Sequence, residues 1–244
     1  ERAGFKDPLV LKFDVHPDLA FGFGSGPSVY YCVDPVYSSA EAVKQEGVVC
    51  EGSDLILAIS ETYRTSLESR FPGKRVRVVP HGFDFERARS IDQDPSTAVP
   101  EELQALPRPL LGYVGSVHDA YVDVSRLERL SRAFQHASIV LIGPYRNNPV
   151  GMNLTGASLR RIRSLPNVHL LGPKPFAVVP CYVKQFDVAL VQLNVDGFEA
   201  AARLRGRTLF KWLLYLSMGK PVVAPAIDEA KDIAEMVYLA TSEE

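Results

Sequence analysis

The stretch Thr208-Leu209-Phe210-Lys211-Trp212-Leu213-Leu214-Tyr215-Leu216-Ser217-Met218-Gly219-Lys220-Pro221-Val222-Val223 reads as one buried helix followed by a strand. Thr208 suits the N-cap, and Gly219 suits the position just past the helix end, where a left-handed backbone is needed. A mostly apolar helix leading through a glycine into a strand is half of a βαβ unit. Lys211 is the only charge in that helix, and it stands in the first turn, where the helix dipole disfavours a cation. Two explanations compete. Lys211 is a lysine snorkelling from a buried helix, or it awaits an anion such as a diphosphate, which would reverse the penalty. The neighbouring motifs favour the second.

Outward from this stretch the same alternation continues. Short aliphatic or β-branched runs occur at Leu9–Phe13, Val29–Val33, Leu55–Ile59, Val76–Val79, Leu110–Val114, Ile139–Ile142, Val168–Leu171 and Val188–Leu193. Helical patterns lie between them at Ala40–Cys50, Glu61–Phe71, Asp123–Phe134 and Leu154–Ser164. Strands separated by helices predict an α/β fold with a mainly parallel sheet, covered on both faces. Residues 86–108 break the rhythm with Asp92, Asp94, Pro95, Pro100 and Pro107, and they read as turns and an interdomain linker. The predicted organisation is a partial first Rossmann-like domain over residues 1–85, that linker, and a second Rossmann-like domain over residues 109–244. Five strands fit the second part, whereas the first holds only three or four, fewer than a doubly wound domain normally has. The first domain is therefore expected to be incomplete in this chain.

Composition narrows the function. Hydrophobic residues make up 46% of the 244, enough for a substantial core. Basic residues number 27 against 29 acidic, which argues against a nucleic-acid binder driven by bulk charge. The three cysteines, Cys32, Cys50 and Cys181, are too scattered for a disulfide framework or a zinc site and favour a reducing cytoplasm. No apolar run approaches the roughly 20 residues that span a bilayer. The start at Glu1, without a leader pattern, suggests a cut, a processed end or a renumbering.

Three further strands each run into a glycine. Leu110–Gly115 leads through Ser116 to a helix for which Asp123 is a suitable N-cap, with Val124, Leu127, Leu130 and Phe134 on one face. Ile139–Gly143 is followed by Arg146, either a solvated loop residue or one that reaches a phosphate. Val168–Gly172 is followed by Lys174, with His169 reading as structural. Glycines at the carboxyl ends of strands let a phosphate approach backbone N–H groups at a helix start. Gly22-Phe23-Gly24-Ser25-Gly26 lacks the spacing of a dinucleotide fingerprint, and Ser116, His118 and Asp119 lack a nucleophile elbow.

Taken in order, these motifs resemble the GT-B-fold glycosyltransferases that use nucleotide-sugar donors in bacterial polysaccharide or glycoconjugate assembly, of the glycosyltransferase family 1/4 kind. Val29–Asp34 resembles the first-domain strand ending in aspartate, Ser53–Ser60 the family's "aDlvlavS" strand, and Val78–Asp84 its "vPnGvD" segment. Gly112–Gly115, Leu141–Pro144, Pro166–Gly172 and Lys211–Val223 complete the series. The resemblance implies a hexosyltransferase-type enzyme with two Rossmann-like domains and a donor site mainly on the second. Gly115 and Ser116 would approach the diphosphate, Gly143 and Arg146 would line the site, backbone around Lys174 would read the base, and Lys211 would neutralise phosphate.

No metal and no cofactor are implied, since the nucleotide sugar is itself the substrate. The partners implied are a UDP- or GDP-sugar and a saccharide or lipid-linked acceptor, with no nucleic acid. A cytoplasmic location follows, at the inner face of the membrane if the first domain makes peripheral contact there. Asp34 is the candidate base, with His81 as the alternative, although Asp34 could equally serve as a turn or helix cap before Pro35. One departure stands out. Many relatives carry glutamate where Leu214 stands, one turn after the lysine, and it holds the donor ribose. Its loss weakens the expected donor affinity and leaves retaining and inverting chemistry both open. A sugar-nucleotide epimerase of the same architecture and a catalytically decayed scaffold are the competing readings.

Overall fold

The computed structural model describes residues 8–13, 15, 26–34, 40–147, 153–191, 210–226 and 233–240. Thr208, Gln192, Leu193 and the glycine-rich 22–25 lie outside them. The chain divides into two compact units, the first running to Gly82 and the second starting at Phe83.

The first unit contains β1 (Val10–Lys12), β2 (Ser28–Cys32), α1 (Ala40–Glu51), β3 (Leu55–Ala58), α2 (Glu61–Arg70) and β4 (Val76–Val78). Its four strands are parallel and lie in sequence order, with Val29 opposite Leu55 and Ile56 opposite Val76. Ser60 caps α2 by accepting the Tyr63 amide at 3.3 Å, which frees the following residues to bury Tyr63 and Leu67 against Ile56 and Val76. A charge is enclosed in this core. Glu46, on α1, is 1% exposed and pairs with Arg70 Nη1 at 2.5 Å. Its Oε1 also accepts from the Tyr30 hydroxyl at 3.3 Å and from Cys32 Sγ at 3.7 Å. Burial, followed by the Glu46 charge, pushes both the Cys32 and Cys50 thiols up to about 12. Neither is a thiolate at neutral pH, so both act as small core residues.

The second unit opens with α3 (Phe85–Gln93) and α4 (Glu101–Gln104), where the sequence reads as turns. Asp84 is the reason for α3. Its carboxylate accepts the Arg87 amide at 3.0 Å, so the aspartate caps a helix instead of closing a loop. Asp94 does form a turn, accepting the Ser96 amide at 2.8 Å. Then follow β5 (Leu110–Val114), α5 (Val124–Ala133), β6 (Ser138–Ile142), α6 (Gly156–Arg163), β7 (Val168–Gly172), a 3-10 turn (Phe176–Val178), α7 (Val179–Lys184), β8 (Val188–Leu190), α8 (Phe210–Ser217), β9 (Val222–Pro225) and β10 (Tyr238–Ala240). α3 packs on α7 and α8.

All six strands of this sheet are parallel, in the order β10-β9-β8-β5-β6-β7. Numbered from β5 and read from the β7 edge, that is third, second, first, fourth, fifth, sixth, the doubly wound Rossmann order. It contains one strand more than the sequence suggests, the three-residue β10. Asp123 caps α5 as expected, accepting the Arg126 amide at 3.0 Å, and Val124 and Leu127 are buried. Phe134, expected on the same face, instead ends the helix and is exposed. Leu111, Tyr113, Ile139, Leu141 and Ile162 form the centre of the core.

Candidate functional site

The strand order of the second sheet reverses between β5 and β8, and ligands of open α/β sheets bind at such a point, beyond the carboxyl ends of the strands. The chain leaves β5 and β6 through glycines held against each other. The Gly115 amide donates to Ile142 O, the Gly143 amide to Gly172 O and the Val117 amide to Pro144 O, each at 2.9 Å. Gly115 and Gly143 have φ of 144° and 145°, which side chains rarely adopt. A Cβ on Gly143 would lie 1.9 Å from the Gly115 carbonyl oxygen, and one on Gly115 would lie 2.8 Å from Lys211 Nζ. Backbone, not side chain, therefore forms the surface at this place.

α8 delivers the side chains. The Lys211 ammonium lies 4.2 Å from the centroid of the Tyr113 ring, a cation–π contact. As a residue Lys211 is only half-buried, yet the surroundings of its amine push its pKa down to about 7. Burial is the cause, and no carboxylate among the described residues pairs with it. Four residues on, and so on the same helical face, the Tyr215 hydroxyl accepts the Val114 amide at 2.7 Å. Burial raises the Tyr215 and Tyr113 phenols far above their ordinary value, so both are neutral donors. Tyr113 gives its hydroxyl proton to Ser116 O at 2.9 Å. Trp212 is buried, and its indole N–H has no partner among the described residues. Leu214 is 3% exposed, at the position where the resembled family carries glutamate.

Of the residues singled out in the sequence, Gly115, Ser116, Gly143 and Lys211 come together here. Arg146 is exposed on the loop after β6. The Lys174 ammonium pairs with Glu102 on α4, which also receives the Tyr182 hydroxyl. Hydrogen bonding to Glu102 raises the Lys174 pKa, and Lys174 in turn holds the Glu102 carboxyl below its ordinary value. Asp34 and His81 belong to the first unit, where they follow β2 and β4 at the carboxyl end of its sheet. Asp34 is exposed, and its carbonyl accepts from Cys32 Sγ at 3.6 Å.

His118 and Asp119 make no hydrolase arrangement. His118 is buried against Tyr121, with ring centroids 4.2 Å apart, and Asp119 accepts the Thr155 amide at 2.8 Å, tying two loops together. His169 is half-buried, and burial lowers its pKa. Sequence reasoning missed Tyr113, Tyr215 and Glu102, and also the contacts of Phe210 with Phe83 and Phe176, at centroid distances of 5.2 and 5.4 Å. Among the described residues, no cluster of three or more His, Cys, Asp or Glu could hold a metal ion. No described helix is long and apolar enough to cross a membrane.

No family model and no curated protein matches the sequence. Solved structures do. HepE of Anabaena, in complex with UDP-glucose, is similar at 17% identity and a TM-score of 0.66, over 90% of this chain and 59% of its own. A UDP-forming trehalose-phosphate synthase from Burkholderia xenovorans gives 15% and 0.62, over 93% and 60%. A glycosyltransferase from Rickettsia africae gives 12% and 0.65, over 97% and 63%. At these identities the likeness establishes the fold, two Rossmann-like α/β units of the GT-B kind. The chain spans about 60% of the length of these structures.

Proposed function

We propose that the chain is part of a metal-independent glycosyltransferase that moves a sugar from a nucleoside-diphosphate donor to a hydroxyl of a saccharide or lipid-linked acceptor. One observation carries this reading: a half-buried lysine without a carboxylate partner among the described residues, set against two interlocked glycine turns at the strand-order reversal. Such a place lacks negative charge and offers backbone, which suits a diphosphate. HepE, a structure of the same fold, has been seen with UDP, and also with UDP-glucose.

In this reading the acceptor hydroxyl attacks the anomeric carbon of the sugar, and the bond from that carbon to the diphosphate oxygen breaks. Charge builds on the departing diphosphate. Lys211 neutralises it, and the backbone of Gly115, Ser116 and Gly143 gives it close approach. Arg146, exposed on the loop after β6, is the residue assigned to the outer phosphate in this reading. The Lys174 side chain is committed to Glu102, so reading of the base falls to the backbone of the loop after β7. The first unit receives the acceptor, and Asp34, or failing it His81, takes the proton from the attacking hydroxyl. The reaction is placed in the cytoplasm, at the membrane face if the acceptor is lipid-linked.

A second reading, a scaffold whose donor site has decayed, is favoured by the buried Leu214. Calorimetric titration with UDP, GDP, ADP and dTDP, without metal and then with magnesium, separates the two. Selective binding of one diphosphate without metal supports the transferase. No binding of any of them, by this chain or by a longer protein containing it, supports the scaffold.

A further inference from the structure

The Val114 amide is where β5 and β8 part. In a parallel strand successive amides point to alternate neighbours. The Gly115 amide turns to β6, through Ile142 O, so the Val114 amide faces the β8 side. There the β5–β8 pairing runs through Leu111 opposite Val188 and Gly112 opposite Ala189, and β8 ends at Leu190. The Val191 amide already donates to Val223 O of β9. Val114 would be left with a half-buried, unsatisfied donor at the mouth of the crevice, which is unfavourable. The Tyr215 hydroxyl takes that donor at 2.7 Å from a fully buried ring on α8. The next residue after Val114 is Gly115, and one turn before Tyr215 is Lys211.

We infer that Tyr215 is the positioning residue of this cradle. By closing the open rung between β5 and α8, it holds the Lys211 amine against the Gly115 turn so that ammonium and backbone meet one anion together. The inference rests on the diphosphate reading above for its ligand, but not for its geometry. Among the described residues, the ionisable groups around the amine are few. Tyr113 faces it from β5 and Tyr215 lies on its own helix. On α3, Glu86, Arg87 and Arg89 are exposed and Asp92 lies 3.8 Å from Lys220 Nζ, while β9 holds no ionisable residue.

The test is Tyr215→Phe, which keeps the ring and removes the hydroxyl, in the wild-type and in a Lys211→Met background. UDP and GDP are the probes, and far-ultraviolet dichroism confirms the fold. The expected result is binding about five- to tenfold weaker in the single variant, with little further loss when Lys211 is already absent. Equal losses in both backgrounds would mean that Tyr215 acts on the fold alone, and would overturn the inference. A second readout needs no nucleotide. Lysines are reductively methylated with labelled formaldehyde, and the dimethyl-lysine resonance missing from Lys211→Arg is followed with pH. Loosening by Tyr215→Phe admits water to the amine and moves its midpoint up, toward the ordinary lysine value near 10.4. An unmoved midpoint also overturns the inference. If the wild type binds no nucleotide while the midpoint does move, the diphosphate reading fails and the positioning role stands.

Discussion

Glu46 in the first unit and Lys211 in the second are treated in opposite ways. In the first, the Glu46 carboxylate is answered on the spot by Arg70, Tyr30 and Cys32. In the second, the Lys211 amine rests on the face of an aromatic ring and is answered by no carboxylate among the described residues. A charge neutralised where it stands holds helices to a sheet. A charge left open is costly to the fold and useful only when a ligand supplies the missing sign. The contrast separates architecture from site without appeal to any relative.

The sharpest way to break the contrast is to unpair the first charge. Arg70→Met strands Glu46 in the core and should cost about 3–5 kcal/mol of stability, read from urea denaturation. A loss below about 1 kcal/mol would make Glu46 as unanswered as Lys211.

Next comes Gly143→Ala, whose methyl would strike the Gly115 carbonyl. It should destabilise by about 2–3 kcal/mol and, by moving the turn, weaken UDP or GDP binding at least about tenfold. Wild-type affinity in that variant would show that backbone at Gly115 does not meet the ligand.

Lys211→Met should raise stability at neutral pH, because it removes an amine whose charge is costly to the fold, and should weaken diphosphate binding by about 1.5–3 kcal/mol in calorimetry. Its pH dependence has a definite sign. The folded amine titrates near 7 and the unfolded one near 10.4, so between those values the unfolded chain binds more protons. The melting temperature of the wild type, relative to Lys211→Met, should therefore rise with pH across that window and be flat below it. Donor affinity should run the other way, falling above pH 7 as the amine loses its charge. A flat difference curve would mean that the amine is solvated. The smallest expected effect on donor affinity is that of Asp34→Asn, which should lower turnover in an acceptor assay and leave nucleotide binding intact. Full turnover would remove Asp34 as the base and leave His81.

Much of this was open to sequence reading, for physical reasons. β5, β6 and β7 are apolar runs that stop at a glycine, and both signals are local. Lys211 stands out because one charge in an apolar helix is rare. Other features have no local signature. β10 is Tyr238-Leu239-Ala240, too short to show a period. Residues 85–93 hide a helix because aspartate marks turns and caps alike, and only the bond from Asp84 to the Arg87 amide decides which. The ion pair of Glu102 with Lys174 joins residues 72 apart, and nothing in either neighbourhood announces the other. Tyr215 lies between. Its spacing from Lys211 puts both on one face, but the need for its hydroxyl is visible only once the strand order leaves Val114 without a partner.

Trp212 is the sole tryptophan of the chain, and it is the next residue after Lys211. Its indole is enclosed, with an N–H that finds no acceptor among the described residues. Nearly all the red-side fluorescence of the protein therefore comes from one ring, on the residue that follows Lys211 in the helix. Emission from so dry a setting lies toward short wavelengths, and a phosphate seated on Lys211 changes the electric field across that ring. An anion can thus be watched as it arrives, by optical titration of the unlabelled wild-type protein.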